Sequence, residues 1–97
     1  MSTAALPPLP SRLTHEEADA YVRQCQAALA AGPALRGQPV WPVDASALQR
    51  FDSAALAALL AVGRMAHQRG ARLQVQGMPD RLKELAALYG VGELLPA

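Results

Sequence analysis

Apolar residues repeat at the spacing of an α-helix in three stretches of the chain. The first stretch follows Thr14, which together with Glu17 forms a capping-box sequence, and it predicts a helix over residues 15–31. The second begins after Asp52-Ser53 and predicts a helix over 53–69, with Gly70 as its stop. The third predicts a helix over 80–89. Its apolar face is formed by Leu82, Leu85, Ala86 and Tyr89.

Two shorter stretches have the pattern of β-strands. Residues 40–43 are apolar throughout, and residues 73–76 alternate between apolar and polar, as a strand buried on one face does. Pro42 has no N–H, so either its nitrogen faces an unpaired side or the strand is bulged there. A turn is expected from Asp44 to Arg50. Strands and helices that alternate in this way favour an α/β layer structure with right-handed crossovers.

The two ends of the chain are expected to differ in structure. Residues 1–13 contain three prolines, so we expect an irregular segment or at best an edge strand there. Residues 14–97 are then expected to form a single domain, because 97 residues suit only one small core. The segment 91–97 is expected to pack Leu94 and Leu95 back onto that core.

Composition narrows the class of protein. Hydrophobic residues make up 52% of the chain and charged residues 18%, which excludes a disordered tail. With 21 alanines, 15 leucines and no isoleucine, helix-forming residues dominate, and any sheet must be small. The net charge is +1 without a cluster of Lys or Arg, so nucleic-acid binding is not expected.

The apolar run 54–62 is too short to span a bilayer, and the first residues lack the features of a signal peptide. We therefore expect a cytoplasmic protein.

The residues that could carry chemistry each have an ordinary structural role. His15 lies in a first helical turn, His67 near a helix C-terminus, and Cys25 on the apolar stripe of the first helix. Asp44 and Asp52 could be paired for acid–base work or magnesium binding, but ending a strand and capping a helix explain them more simply. No phosphate loop, nucleophile elbow or metal-ligand spacing is present. The sequence predicts no enzyme, no metal and no cofactor.

The second predicted helix carries no polar residue from Ala54 to Val62. On a helical wheel its inward stripe is predicted to be Leu56, Leu59, Leu60 and Gly63. The opposite, outward side is predicted to carry Ala54, Ala58, Ala61 and Met65, with Ser53 and Ala57 on one flank. Two interpretations remain open. The small outward residues form a binding surface, or alanine serves only as a good helix former that tolerates water. A binding surface predicts that Ala58→Glu leaves the domain folded.

Three segments of the sequence resemble the STAS domain family. They are Asp44-Ala45-Ser46, Phe51-Asp52-Ser53-Ala54-Ala55-Leu56 continuing to Leu60, and Arg69-Gly70-Ala71-Arg72-Leu73-Gln74-Val75. The family includes bacterial anti-sigma factor antagonists and the small cytoplasmic subunit of the Mla phospholipid ABC transporter. The later segments 73–77, 85–89 and 94–96 are more similar to the MlaB-like branch. The resemblance covers about residues 40–96. It implies a small mixed β-sheet of three or four strands, with about three helices packed mainly on one side.

The resemblance also implies a function without catalysis. In the transporter branch, the position of Ser53 lies where the domain docks onto the ATPase subunit. This implies an accessory subunit at the inner membrane that supports phospholipid transport and outer-membrane lipid asymmetry. Its partner-binding residues would be Asp52, Ser53, Ala54, Ala57, Ala58, Ala61 and Met65. The alternative is an anti-sigma factor antagonist switched by kinase phosphorylation of Ser53. A third interpretation is an orphan domain that self-associates through the same surface.

Overall fold

Seven elements follow one another in the computed structural model, which describes residues 4–31, 35 and 37–91. They are β1 (Arg12–Leu13), α1 (Ala18–Ala31), β2 (Val40–Asp44), β3 (Arg50–Phe51), α2 (Ser53–Gln68), β4 (Arg72–Gln76) and α3 (Asp80–Leu88). The predicted α/β class is therefore confirmed.

The strands of the described chain pair in two parallel ladders. β1 pairs with β3, and β2 pairs with β4 from Val40 opposite Arg72 to Asp44 opposite Gln76. The helix α2 packs on β4 and against both α1 and α3. This arrangement places the first turn of α2 next to the short β1–β3 ladder.

The N-terminal segment runs along the free side of β2. The Leu6 amide donates to the Pro42 carbonyl at 3.0 Å, and the Leu9 amide donates to the Asp44 carbonyl at 2.8 Å. The hydroxyl of Tyr21 on α1 ties the segment down by donating to the Pro7 carbonyl at 2.6 Å. Pro42 therefore turns its nitrogen away from β4, and the β2–β4 register continues through it without a bulge. The strand is therefore not bulged at Pro42, but the side that its nitrogen faces is not unpaired either, because the N-terminal segment bonds to the carbonyls of β2 there.

The capping sequence at Thr14 forms, but α1 starts later than predicted. The Glu17 carboxylate accepts from the Thr14 amide at 2.8 Å and from the Thr14 hydroxyl at 2.7 Å. The hydroxyl also accepts from the Glu16 amide at 3.4 Å, and the Glu17 amide, which a capping box would pair with this hydroxyl, donates to the Thr14 carbonyl instead. Residues 14–17 form a turn, and the helix begins at Ala18. The predicted helix end at Gly32-Pro33 lies outside the described residues.

The second half of the chain follows the predicted order closely. α2 and α3 each end one residue before the predicted boundary, and β4 begins one residue earlier, at Arg72. Gly70 and Gly90 follow the two helices with φ values of 71° each, a conformation that favours glycine. The strand β3 was missed, because we predicted a turn up to Arg50. The predicted packing of Leu94 and Leu95 lies outside the described residues.

One apolar core joins the helices, the strands and the N-terminal segment. Its fully buried large side chains include Trp41, Leu9, Leu13, Leu59 and Leu82. The indole N–H of Trp41 is buried and has no hydrogen-bond acceptor among the described residues. Leu6 and Leu9 are only 3% and 2% exposed, so the N-terminal segment contributes to the core.

Candidate functional site

The first turn of α2 is organised by Asp52. Its side chain accepts from the Ala54 amide at 2.8 Å, which makes Asp52 the N-cap and Ser53 the first helical residue. The other carboxylate oxygen lies 3.3 Å from the His15 amide and 3.4 Å from the His15 ring nitrogen Nδ1. Ser53 is exposed, and its hydroxyl makes no hydrogen bond to any described residue. The side chain at this position is therefore free to meet a partner.

Hydrogen bonding keeps the Asp52 carboxylate ionised. The hydrogen bond from the Ala54 amide, with smaller contributions from His15, holds the pKa of Asp52 below its usual value. The lowered pKa stabilises the folded state above the ordinary aspartate pKa. That contribution is lost as the pH falls through the lower pKa of the folded protein.

We expect Asp52→Ala to lower the urea midpoint of unfolding at pH 7, because the Ala54 amide loses its acceptor. Asp52→Asn keeps a capping oxygen, so its urea midpoint should fall much less than that of Asp52→Ala. The gap between wild type and Asp52→Ala should narrow as the pH falls below about 4. A gap of constant size from pH 7 to pH 3 would contradict this role of the carboxylate.

The predicted outward face of α2 is wrong at its centre. Ala58 is only 3% exposed, and Ala54, Ala61 and Met65 are half-buried. These alanines share a groove with Ala18 and Val22 of α1. The side that we predicted to face a partner is therefore largely covered by this domain's own first helix.

The outward stripe of α2 in the structure is shifted by about one helical position from the stripe that the helical wheel predicted. It comprises Ser53, Ala57, Leu60, Arg64 and His67, of which Leu60 is half-buried and the others are exposed. Helical-wheel reasoning placed the large leucines inward and the alanines outward. In the structure, the small alanines allow α1 to approach closely, and this turns Leu60 toward the surface. Ser53 and Ala57 are the two predicted partner-binding residues that are exposed.

Sequence reasoning missed the residues of α3 that adjoin this stripe. Leu88 is 81% exposed and Tyr89 is 59% exposed, although Tyr89 was predicted on the buried face of its helix. Ser53, Ala57 and Leu60 share a groove with Tyr89 and Val91. The exposure of Leu88 could have been predicted from the sequence, because Leu88 lies off the helix face formed by Leu82, Leu85 and Ala86.

The other candidate residues have structural roles. Cys25 is fully buried, and burial raises the pKa of its thiol, so it is a core residue. The Asp44 carboxylate accepts from the Ser46 amide at 2.9 Å and shapes the turn after β2. Hydrogen bonding from Ser46 lowers the pKa of Asp44. His67 is exposed on α2. Within residues 4–31, 35 and 37–91, no group of three or more His, Cys, Asp or Glu side chains could hold a metal ion.

The comparisons with known proteins agree with this architecture. None of the helices in the described part of the chain is long and apolar enough to cross a membrane. No curated protein matches the sequence. The family model described as "Mlab, STAS domain" matches residues 8–96, which is most of the chain. Members of this family are generally binding modules without catalytic activity. The chain belongs to the STAS domain family and is MlaB-like.

Proposed function

We propose that this chain is a non-catalytic accessory subunit that binds the ATPase of an Mla-type phospholipid ABC transporter and supports its assembly or activity. The MlaB-like family match supports this proposal. The observation that carries it is the uncharged start of the α2 stripe, where exposed Ser53 and Ala57 adjoin half-buried Leu60. A surface of this kind, next to two exposed large apolar side chains, is typical of a protein–protein interface.

We narrow the proposed set of partner-binding residues to those whose side chains are exposed. Ser53 and Ala57 can be reached directly, and Asp52 is half-buried at the edge of the same surface. Ala54 and Ala61 line the groove with α1, and Met65 lines a second groove with Leu29 and Ala30, so these three residues can contribute only through their half-exposed surfaces. Ala58 is removed from the set, because it is buried within the domain. The proposed interface therefore centres on Ser53 and Ala57 and turns toward α3.

The proposed location follows from the proposed partner. The subunit would lie on the cytoplasmic side of the inner membrane, bound to the transporter, and would contribute to outer-membrane lipid asymmetry without inserting into the bilayer.

One observation favours a second candidate function, an anti-sigma factor antagonist switched by phosphorylation of Ser53. The exposed Ser53 hydroxyl has no partner among the described residues and lies at a helix N-terminus, where backbone amides favour an anion. The ionised Asp52 next to it would repel a phosphate, and about two added negative charges would oppose docking of an apolar surface.

The test is binding of the purified full chain to the Mla-type ATPase subunit from the same genome. We expect the wild type to bind and Ala57→Glu to lose at least about 30-fold in affinity, the size of an interface hot spot. Ala27→Glu, at an exposed alanine of α1, is the matched control and should bind normally. Ser53→Asp should weaken binding more than Ser53→Ala does, because it puts a charge that must lose its water into the apolar groove formed with Ala57 and Leu60.

Three results would contradict the proposal. Equal binding by Ser53→Asp and Ser53→Ala would remove Ser53 from the interface. Absence of wild-type binding would reject the ATPase as partner. ATP-dependent phosphate on Ser53 from a cognate anti-sigma kinase, without ATPase binding, would establish the second function instead.

A further inference from the structure

We propose that the grooves between α2 and α3 receive a segment of the partner protein that carries an apolar side chain with a basic residue beside it. In this interface Leu88 and Tyr89 form an apolar anchor at the end of α3, which adjoins the Ser53–Ala57 stripe of α2 and adds a second set of contacts. The inference rests on the proposed function and specifies the chemistry of the partner.

The first observation is the exposure of two neighbouring large apolar residues. Leu88 is 81% exposed and Tyr89 is 59% exposed, whereas the other large apolar side chains of the described chain are buried or half-buried. Both lie where α3 ends, and the turn through Gly90 fixes their backbone. Adjacent exposed side chains of this size, beside a further apolar surface, mark an interaction site rather than scattered surface leucines.

The second observation is that these residues are continuous with Ser53. A groove of about 240 Å³ is lined by Ser53, Leu56, Ala57, Leu60, Tyr89 and Val91. A second groove of about 430 Å³ is lined by Phe51, Asp52, Ser53, Arg81, Glu84, Leu85, Leu88 and Tyr89. Ser53 and Tyr89 belong to both grooves. A segment bound in one groove therefore contacts both the α2 stripe and the end of α3.

The third observation is the charge of the second groove. Its acidic groups are Asp52, whose lowered pKa keeps it ionised, and Glu84. Its one cation, Arg81, lies over the Phe51 ring with its guanidinium carbon 5.7 Å from the ring centroid. The groove therefore has an excess of negative charge beside apolar walls. A basic side chain next to an apolar one complements both features.

The same charge argues against two other occupants. A second copy that docks this surface against itself across a two-fold axis would bury two grooves with the same excess of negative charge in one interface, and this net charge opposes that contact. The segment 92–97 of this chain has Glu93 as its only charged side chain, which does not complement an acidic groove. A basic segment of another protein matches the groove better than either.

The experiment measures the affinity of full-chain variants for the Mla-type ATPase subunit by titration calorimetry. We expect the double variant Leu88→Ser/Tyr89→Ser to bind at least about 30-fold more weakly, because it removes the apolar anchor. Glu84→Lys should weaken binding about 5- to 10-fold, with a smaller loss at high salt. Lys83→Glu changes a neighbouring exposed residue of α3 outside both grooves and is the matched control, expected to stay within about twofold. Circular dichroism should show that every variant is folded.

The outcomes separate this inference from the proposed function. If Ala57→Glu abolishes binding and Leu88→Ser/Tyr89→Ser does not, the α3 anchor is wrong while the proposed function stands. Stronger binding by Glu84→Lys would overturn the basic partner segment. Self-association of the wild type that is lost in the double variant would identify a second copy as the occupant and overturn the inference. Tighter ATPase binding by Leu94→Ser/Leu95→Ser in the full chain would show that segment 92–97 of this chain occupies the groove. That result would also overturn the inference. If the wild type does not bind, both proposals fail.

Discussion

We expect Ala58→Glu to unfold or strongly destabilise the isolated domain, because Ala58 is buried in the contact between α2 and α1. Ala58 is 3% exposed and packs where α2 meets α1, so a glutamate there must push α1 aside or bend into the neighbouring groove, whose lining includes Arg23. Forcing a larger side chain into a packed contact costs about 1–3 kcal/mol, and incomplete solvation of the carboxylate adds to this cost, which is a large part of the stability of a domain this small. We expect a loss of most of the helical circular-dichroism signal, or a urea midpoint far below that of the wild type.

Ala57→Glu is the matched control, because it makes the same change one residue earlier at an exposed position. It should remain within about 0.5 kcal/mol of the wild type, as surface substitutions usually do. The sequence-based prediction was that Ala58→Glu would leave the domain folded. If both variants unfold at the same urea concentration as the wild type, the buried placement of Ala58 is incorrect.

Leu9→Ala should destabilise the domain by about 2–5 kcal/mol, although Leu9 lies in a segment that was predicted to be irregular. Its side chain is only 2% exposed, and its amide bonds to the Asp44 carbonyl. Removing the side chain leaves a cavity beside β2, while the backbone hydrogen bond can persist. Urea unfolding followed by the fluorescence of Trp41, the single tryptophan, measures the change directly.

Leu88→Ala provides the control for the same chemical change at a surface position. Leu88 is 81% exposed, so its truncation should change the free energy of unfolding by less than about 0.5 kcal/mol. If Leu9→Ala and Leu88→Ala lower the free energy of unfolding equally, the N-terminal segment does not pack as described.

Local sequence signals predicted most of the elements. The Asp52 cap, the Gly70 stop and the alternation of residues 73–76 act within a few residues, and the structure follows each of them closely. The pairing of β1 with β3 could not be predicted in this way. Each strand has two residues, too few to show a period, and each exists because of a partner distant in the sequence.

The orientation of α2 was predicted only in part, for a related reason: Leu56 and Leu59 are buried as predicted, but Ala58 is buried and Leu60 is only half-buried. A run of alanines and leucines contains no polar residue to mark the solvent side, so residue size was the only guide. Size favours leucine inward, but the surface that α1 needs for close packing is made of alanines. The positions of Ala58 and Tyr89 therefore depend on neighbouring helices, which the sequence of one helix cannot show.

The parallel ladders also bear on how the protein is made. Arg12 pairs with Arg50 and Val40 with Arg72, so each ladder joins two strands that are separated in the sequence by a whole helix. Contacts between such distant residues slow folding, because the intervening chain must be ordered first. During synthesis, β2 is translated before β4 and has no β4 to pair with until β4 has left the ribosome. In that interval the N-terminal segment, already translated, can pair with β2 and shield one of its edges from other nascent chains.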